Sequence, residues 1–377
     1  MNKIDTLKIS NYDKFKCTAD KCKFTCCEGW DISVDDNTYD NWKNDKSNNI
    51  LNNVKIKRYE GKDEYFINKK TNEVCPLLDS HGLCNIVKDH GENYLSLTCQ
   101  MFPRIENIFE DRRELSLSCS CPEVLEFIGS ETGKINMTSE SHIYLESNAL
   151  EIKVRETIIN IMQQEKFLLE DKLIISFQML STILENDDLG EDALLKELEK
   201  YKDRNYVKEL IDMYKGIKIN TNDSVEEVNN LFLDIIENYK EVSIFNILLK
   251  DIANFAENAK IKKLSSKWND YKSLFEQYND FVENCIISKI FSNCISDDIE
   301  EMIISFQMII LEYLLLRYSL FLKYCMENKI DEEDIKNYTV AFSRIIGNNT
   351  DAMIEFIRDG FEDDILEIGY LCFITLV

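Results

Sequence analysis

The chain has 377 residues, 44% of them apolar, which is enough to fill sizeable cores and excludes a disordered polymer. Its 69 Asp and Glu outnumber 44 Lys and Arg, a formal charge of −25; such a surface repels phosphate, so neither nucleic acid nor an anionic membrane is expected as a partner. Only 11 Gly and 3 Pro point to long helices, and all three prolines and nine of the 13 cysteines precede residue 125, so composition alone divides the chain.

The N-terminal "MNKIDTLKIS" has no apolar run of export-signal length, which implies a cytoplasmic protein. Residues 1–128 read as short mixed elements. "WDISV" (30–34) alternates like a strand, and "DDNTYDNWKND" (35–45) starts with helix-capping aspartates. "DEYFIN" (63–68) and "RELSLS" (113–118) are further strands. "LCNIVKDHG" (83–91) predicts two helical turns closed by Gly91. "CPEVLEFIG" (121–129) has Pro122 at the first helical position and Gly129 as its stop. Residues 129–143, polar and with two glycines, read as a linker.

From 144 to 377 nearly every segment has helical spacing. "VRETIINIMQQ" (154–164), "DKLIISFQMLSTILEN" (171–186) and "VEEVNNLFLDIIENY" (225–239) repeat apolar residues at i, i+3, i+4 and i+7. The hexamer IISFQM occurs at 174–179 and again at 303–308, which predicts two similar buried helices and no solenoid repeat. "MIISFQMIILEYLLLRYSLFLKY" (302–324) is interrupted by Gln307, Glu312 and Arg317, each costly in hydrocarbon. It reads as a buried bundle helix, not a membrane span.

The early thiols are Cys17, Cys22, Cys26, Cys27, Cys75, Cys84, Cys99, Cys119 and Cys121. In a reducing compartment such clustering means metal or redox chemistry, and an odd total of 13 would leave a disulfide framework unpaired. The spacing matches neither a C-x2-C…C-x2-C zinc ribbon nor a C-x2-C-x2-C-x3-C-P ferredoxin run. Adjacent Cys26 and Cys27 should diverge, which suits two neighbouring sites or a multi-iron cluster better than one shared ion. Cys285, Cys294, Cys325 and Cys372 lie in helical stretches and read as small core residues. Trp30 reads as a core aromatic beside the cysteine loop, and His81 and His90 as exposed loop or helix-end residues. Arg104 suits either a carboxylate ligand or a structural ion pair. The acidic "DEEDIKNY" (331–338) is a solvated helix start.

"FKCTADKCKFTCCEGWDISVDDNTY" (15–39), "CPLLDSHGLCNIVKDHGENYLSLTCQMFPR" (75–104) and "ELSLSCSCPEVLEF" (114–127) resemble the signature blocks of the flagellin lysine-N-methylase family. The shared features are CC-x-G-W, CP-x-L with its later G-x-C, C-x3-PR and the final CPE. The resemblance implies methyl transfer from S-adenosylmethionine to lysine Nε of flagellin by a protein that carries a 4Fe–4S cluster. It places Cys17, Cys22, Cys26, Cys27, Cys75, Cys84, Cys99 and Cys121 at matching positions, with Cys119 an addition. Four cubane ligands need half of the eight, and the sequence does not choose among them. Zinc is the alternative metal for the same thiols.

The expected architecture is mainly α. A small cysteine-rich mixed α/β metal domain (1–128) precedes an all-helical bundle (144–377), with the active site near their junction. No GxGxxG turn follows a strand, which argues against an ordinary Rossmann methyltransferase. The acidic, basic and tyrosine residues are too many to single out a catalytic base. A non-enzymatic iron- or zinc-binding protein, or a metal-stabilised helical adaptor, is the reading from another class.

Overall fold

Alternation and capping explain the N-terminal elements directly. The computed structural model describes residues 5–59, 61–69, 74–139, 147, 149–186, 189–240, 242–348, 353–356, 358 and 368–375. Strand β1 (Asp5–Ile9) buries every second residue. A two-residue β2 (Ser33–Val34), β3 (Val54–Tyr59) and β4 (Lys62–Ile67) form a sheet of order β2-β4-β3. Helices α1 (Asp36–Asn44), α2 (Asn48–Leu51), α3 (Asn85–His90) and α4 (Leu97–Met101) belong to the same part of the chain, and the first three bring Trp42, Ile50 and Ile86 into one core with Val34 and Ile67 of the sheet. Asp35 caps α1 by accepting from the Thr38 amide at 3.0 Å, as the aspartate pair predicts.

A second sheet has the order β5-β6-β1-β7, with β5 (Arg104–Ile108), β6 (Arg112–Leu117) and β7 (Met137–Ser139). Its β1–β6 pair is parallel and runs from Asp5↔Arg112 to Lys8↔Leu115. Helix α5 (Pro122–Ser130) connects β6 to β7.

The remaining helices are α6 (Leu150–Met162), α7 (Leu169–Glu185), α8 (Glu191–Lys200), α9 (Arg204–Lys215), α10 (Thr221–Tyr239) and α11 (Ser243–Leu248). They continue with α12 (Lys250–Asn258), α13 (Ile261–Ser265), α14 (Trp268–Phe275), α15 (Asn279–Asn293), the 29-residue α16 (Ile299–Glu327), α17 (Glu332–Phe342) and α18 (Ile368–Thr375). A π-helical turn, Ser343–Gly347, extends α17.

The molecule is mainly helical, and two hydrophobic cores divide it. The larger takes Leu7 and Ile9 of β1, Leu117 of β6 and Val124, Leu125 and Ile128 of α5 together with the helical residues. The smaller comprises Ile32, Val34, Trp42, Ile50, Ile67, Cys75, Leu77 and Ile86. So β1, β6 and α5 share the core of the helices, while residues 32–86 keep one of their own.

The two IISFQM segments lie on α7 and α16, which pack against each other, with Phe177 and Phe306 both buried. They are the similar buried helices that the sequence predicts. Among the described residues no helix is long and apolar enough to cross a membrane. The polar interruptions of α16 are buried and partnered instead. Glu312 pairs with Lys289 and accepts from Ser343 Oγ at 2.8 Å. Arg317 pairs with Glu170 at 2.8 Å and donates to the Thr375 carbonyl at 3.1 Å.

Three local expectations are corrected. The strand over 30–34 shrinks to Ser33–Val34, because Trp30 turns back to donate to the Cys26 carbonyl at 2.8 Å. Gly129 does not stop α5, which continues to Ser130; the glycine lies where Glu332 and Lys336 of α17 come close, and a Cβ there would sit 3.1 Å from both side chains. The segment read as a linker contributes β7, and its residues 133–135 are pinned to α15. The Asn284 side chain accepts from the Ile135 amide and donates to the Gly133 carbonyl, both at 2.9 Å.

Candidate metal centre

The loop from Cys17 to Trp30 contains two short turns and almost no regular structure, so local contacts aim its thiols. Cys17 is exposed, and its sulfur accepts from the Ala19 amide at 3.4 Å. Cys22 Sγ donates to the Phe24 carbonyl at 3.2 Å. Cys26 and Cys27 form a turn that Gly29 follows at φ 82°, a backbone state that glycine adopts without strain. Each of these two neighbouring thiols is the group that most perturbs the other, which raises Cys26 and lowers Cys27 to about 6.

Cys75 is positioned by its own amide, which donates to the Cys27 carbonyl at 2.8 Å. Leu78 bridges to Cys84 across the turn at 79–82. That turn is held by Asp79, which accepts from the amides of His81 (2.8 Å) and Leu83 (3.0 Å) and pairs with Lys88 at 2.6 Å. These contacts, led by Lys88, hold the Asp79 carboxyl down to about 2. Cys84 precedes α3, and Cys99 lies in α4, whose cap Ser96 accepts from the Cys99 amide.

Cys75 belongs to the smaller core, and Cys27, Cys84 and Cys99 pack on that same core. Burial pushes Cys75 up to about 12 and Cys99 up to about 11, and it also raises Cys84. Without a cation Cys75, Cys84 and Cys99 stay protonated at neutral pH; a metal would displace the protons.

Cys121 belongs elsewhere. It lies in the larger core at the N-cap of α5, and burial pushes it up to about 11. Beside it is a residue that sequence reasoning missed, the buried Arg344 of the π-helical turn. Its Nη1 donates to the Thr25 carbonyl and its Nη2 to the Phe24 carbonyl, both at 2.8 Å, while Nε reaches the Ser120 carbonyl at 3.0 Å. Burial lowers its pKa, against the field of Cys26, Cys22, Glu28 and Cys121. No sequence pattern marks an arginine more than 200 positions from the loop it ties down.

Among the described residues no group of three or more His, Cys, Asp or Glu side chains is placed to hold a metal ion. The donor type suits a soft metal, and Cys27, Cys75, Cys84 and Cys99, from three segments of the chain, pack in or on one core. Cys119 is buried and points to the Cys285 carbonyl at 3.8 Å, away from the cysteine loop. Cys285, Cys294 and Cys372 are buried and Cys325 is half-buried, all within helices or at their ends. His81 and His90 are exposed, and His90 stacks on Tyr94 at 4.4 Å. Trp30 packs on the smaller core and Arg104 lies over the Phe15 ring at 5.0 Å.

Comparison with known proteins gives a consistent family. The model of the FliB lysine N-methylase C-terminal domain matches residues 155–374. The chain is similar to the lysine-N-methylases of Salmonella typhimurium (strain LT2) and Salmonella choleraesuis. Each is 31% identical over 136 residues, which is 33% of this chain and 32% of the relative. It is equally similar to the flagellar biosynthetic protein FliU of Salmonella muenchen, where the match covers 76% of that protein. The chain thus spans about a third of the length of the two lysine-N-methylases. No solved structure matches.

Proposed function

Because this chain belongs to the FliB lysine N-methylase family, we propose that it transfers methyl groups from S-adenosylmethionine to lysine Nε atoms of flagellin. The observation that carries the reading is the match over residues 155–374, which covers most of the helical part. The names of the similar proteins support lysine as the acceptor and a flagellar target.

The eight matched thiols, Cys17, Cys22, Cys26, Cys27, Cys75, Cys84, Cys99 and Cys121, are the residues that would hold a 4Fe–4S cluster or zinc. When bound, such a group supplies thiolate-anchored metal that cross-links the loop and, where one position is open, takes a polar ligand. The protein's own task is to present a neutral amine, since lysine in water keeps its proton to about pH 10.4. Desolvation of the target lysine would achieve this. The sheets described here contain one parallel pair, β1–β6, and no doubly wound parallel sheet, so cofactor binding would not follow the Rossmann pattern.

The test uses protein reconstituted anaerobically with iron and sulfide, with S-adenosylmethionine and flagellin. Mass spectrometry should find lysines heavier by methyl units. The charge of −25 favours encounter with exposed lysines, so the initial rate at sub-saturating flagellin should fall as salt rises. Metal-replete protein that neither binds the cofactor nor modifies flagellin would support the metal-binding alternative.

A further inference from the structure

The β3–β4 hairpin has two unlike faces. On one, Phe66 of β4 stands opposite Lys55 of β3, and the Lys57 ammonium lies 4.9 Å from the centre of the Phe66 ring. Asp31 accepts from Lys55 at 2.9 Å and from Lys57 at 3.0 Å. A ring, a carboxylate and two lysines thus satisfy one another within the chain.

The other face carries rings and carboxylates without the lysine. Tyr65 stands opposite Ile56, which is 55% exposed, and stacks on Tyr39 of α1 with ring centroids 3.8 Å apart and planes 10° from parallel. Both rings pack on the smaller core but are only half-buried. Asp36 and Asp40 are exposed and lie three residues before and one after Tyr39, so one side of α1 carries all three. Asp63, two residues before Tyr65, shares its face of β4. Partial desolvation, then Tyr39 and the charges of Asp63, Asp36 and Asp40, raise the Tyr65 hydroxyl above its ordinary value, which places all three carboxylates within electrostatic reach of the ring. Arg58 pairs with Asp63 at 3.7 Å. Among the described residues, Asp36 and Asp40 have no ion-pair partner and no Lys or Arg lies over either tyrosine.

We propose that this face, Tyr39, Tyr65 and Ile56 rimmed by Asp36, Asp40 and Asp63, is a docking site for a lysine side chain of a partner protein. The aliphatic stem lies along Ile56 and the rings, and the ammonium meets Asp36 and Asp40 as Lys57 meets Asp31 on the reverse face.

Charge also says what kind of lysine it takes. Carboxylates beside an ammonium favour its protonated form, whereas a lysine about to accept a methyl group must be neutral. The face therefore holds a lysine that is not the one being modified, and it serves to anchor the partner. That the partner is the protein substrate rests on the reading given above; the preference for an ammonium rests on the face alone.

Full-length protein with isotope-labelled tyrosine would be titrated with trilysine and with its Nε-acetylated form, the Tyr39 and Tyr65 ring signals being followed by NMR. Trilysine should shift both signals saturably and the acetylated form should not. Asp36→Asn/Asp40→Asn should weaken the response, whereas Glu191→Gln/Asp192→Asn, which removes the same charge from the exposed start of α8, should leave it intact. In the methylation assay Asp36→Asn/Asp40→Asn and Tyr65→Leu should each raise KM for flagellin about two- to fivefold with kcat unchanged. The aspartate variants alter only exposed side chains, so the test stands even if Tyr65→Leu fails to fold. Ring signals that ignore trilysine, or that respond equally in the Asp36→Asn/Asp40→Asn variant, would overturn the site. An unchanged KM for that variant of an active enzyme would overturn its role in docking while leaving the methylation reading intact. The expected trilysine response in protein that leaves flagellin unmodified would support the site and overturn that reading.

Discussion

Glu283 shows what a single residue does in this protein. It is buried on α15 and pairs with Lys172 of α7 at 2.6 Å and with Lys134 of the segment before β7. Lys172 is itself buried and also donates to the Met162 carbonyl at 3.1 Å. Burial pulls the Lys172 ammonium below its ordinary value, and Glu283 opposes that shift. Removing one partner of such a pair leaves an uncompensated charge, which typically costs about 3–5 kcal/mol. Glu283→Ala should therefore lower the urea midpoint markedly, with Glu283→Gln intermediate because it keeps an acceptor. Equal stability of Glu283→Ala and wild type in denaturant titrations would rule this out. The 172–283 pairing is invisible in sequence, since each residue reads as an ordinary polar position on an amphipathic helix.

At the scale of elements, helices and their caps were legible wherever periodicity or capping chemistry is local. Asp331 and Asp334 form a reciprocal capping box at the acidic start of α17, as that run suggests. Gly91 closes α3 at φ 86°, also as its position predicts. Gly129 was misread because its reason is tertiary: α17 passes over it, with the Glu332 and Lys336 side chains close by. Both atoms are ends of flexible side chains, so Gly129→Ala should nearly balance a helix-propensity gain of about 1 kcal/mol against a small displacement. Gly129→Leu should instead push α17 away and destabilise by about 1–3 kcal/mol. Thermal unfolding of the two variants checks this, and comparable stability of the leucine variant would show that α17 does not need the close approach.

For the whole molecule, the distribution of the cores sets how it should respond to metal loss. The smaller core has few apolar residues and four of the matched thiols packed in or on it, so metal would supply much of its stability. The sheet β5-β6-β1-β7 and α5 are anchored in the larger core and need no such help. Exhaustive chelation under reducing conditions should speed hydrogen exchange across residues 27–99 while leaving β1, β6 and the helices protected. Uniform protection with and without metal would exclude a structural role for the cation. The same division explains why composition alone could not place the boundary: the cysteine-rich stretch is continuous in sequence but is split between two cores.

The sequence by itself determined the helical character of the C-terminal part, the buried nature of α16 and the family resemblance carried by three cysteine-rich blocks. Those properties rest on local periodicity, on charges that hydrocarbon will not accept, and on residue spacing, all of which are written along the chain. Only the tertiary structure decided that β1 pairs in parallel with a strand over a hundred positions away, and that Arg344 reaches back to the carbonyls around the cysteine loop. These are non-local contacts between groups that look ordinary one at a time. Their positions follow from how the two cores fill, and no spacing rule records that.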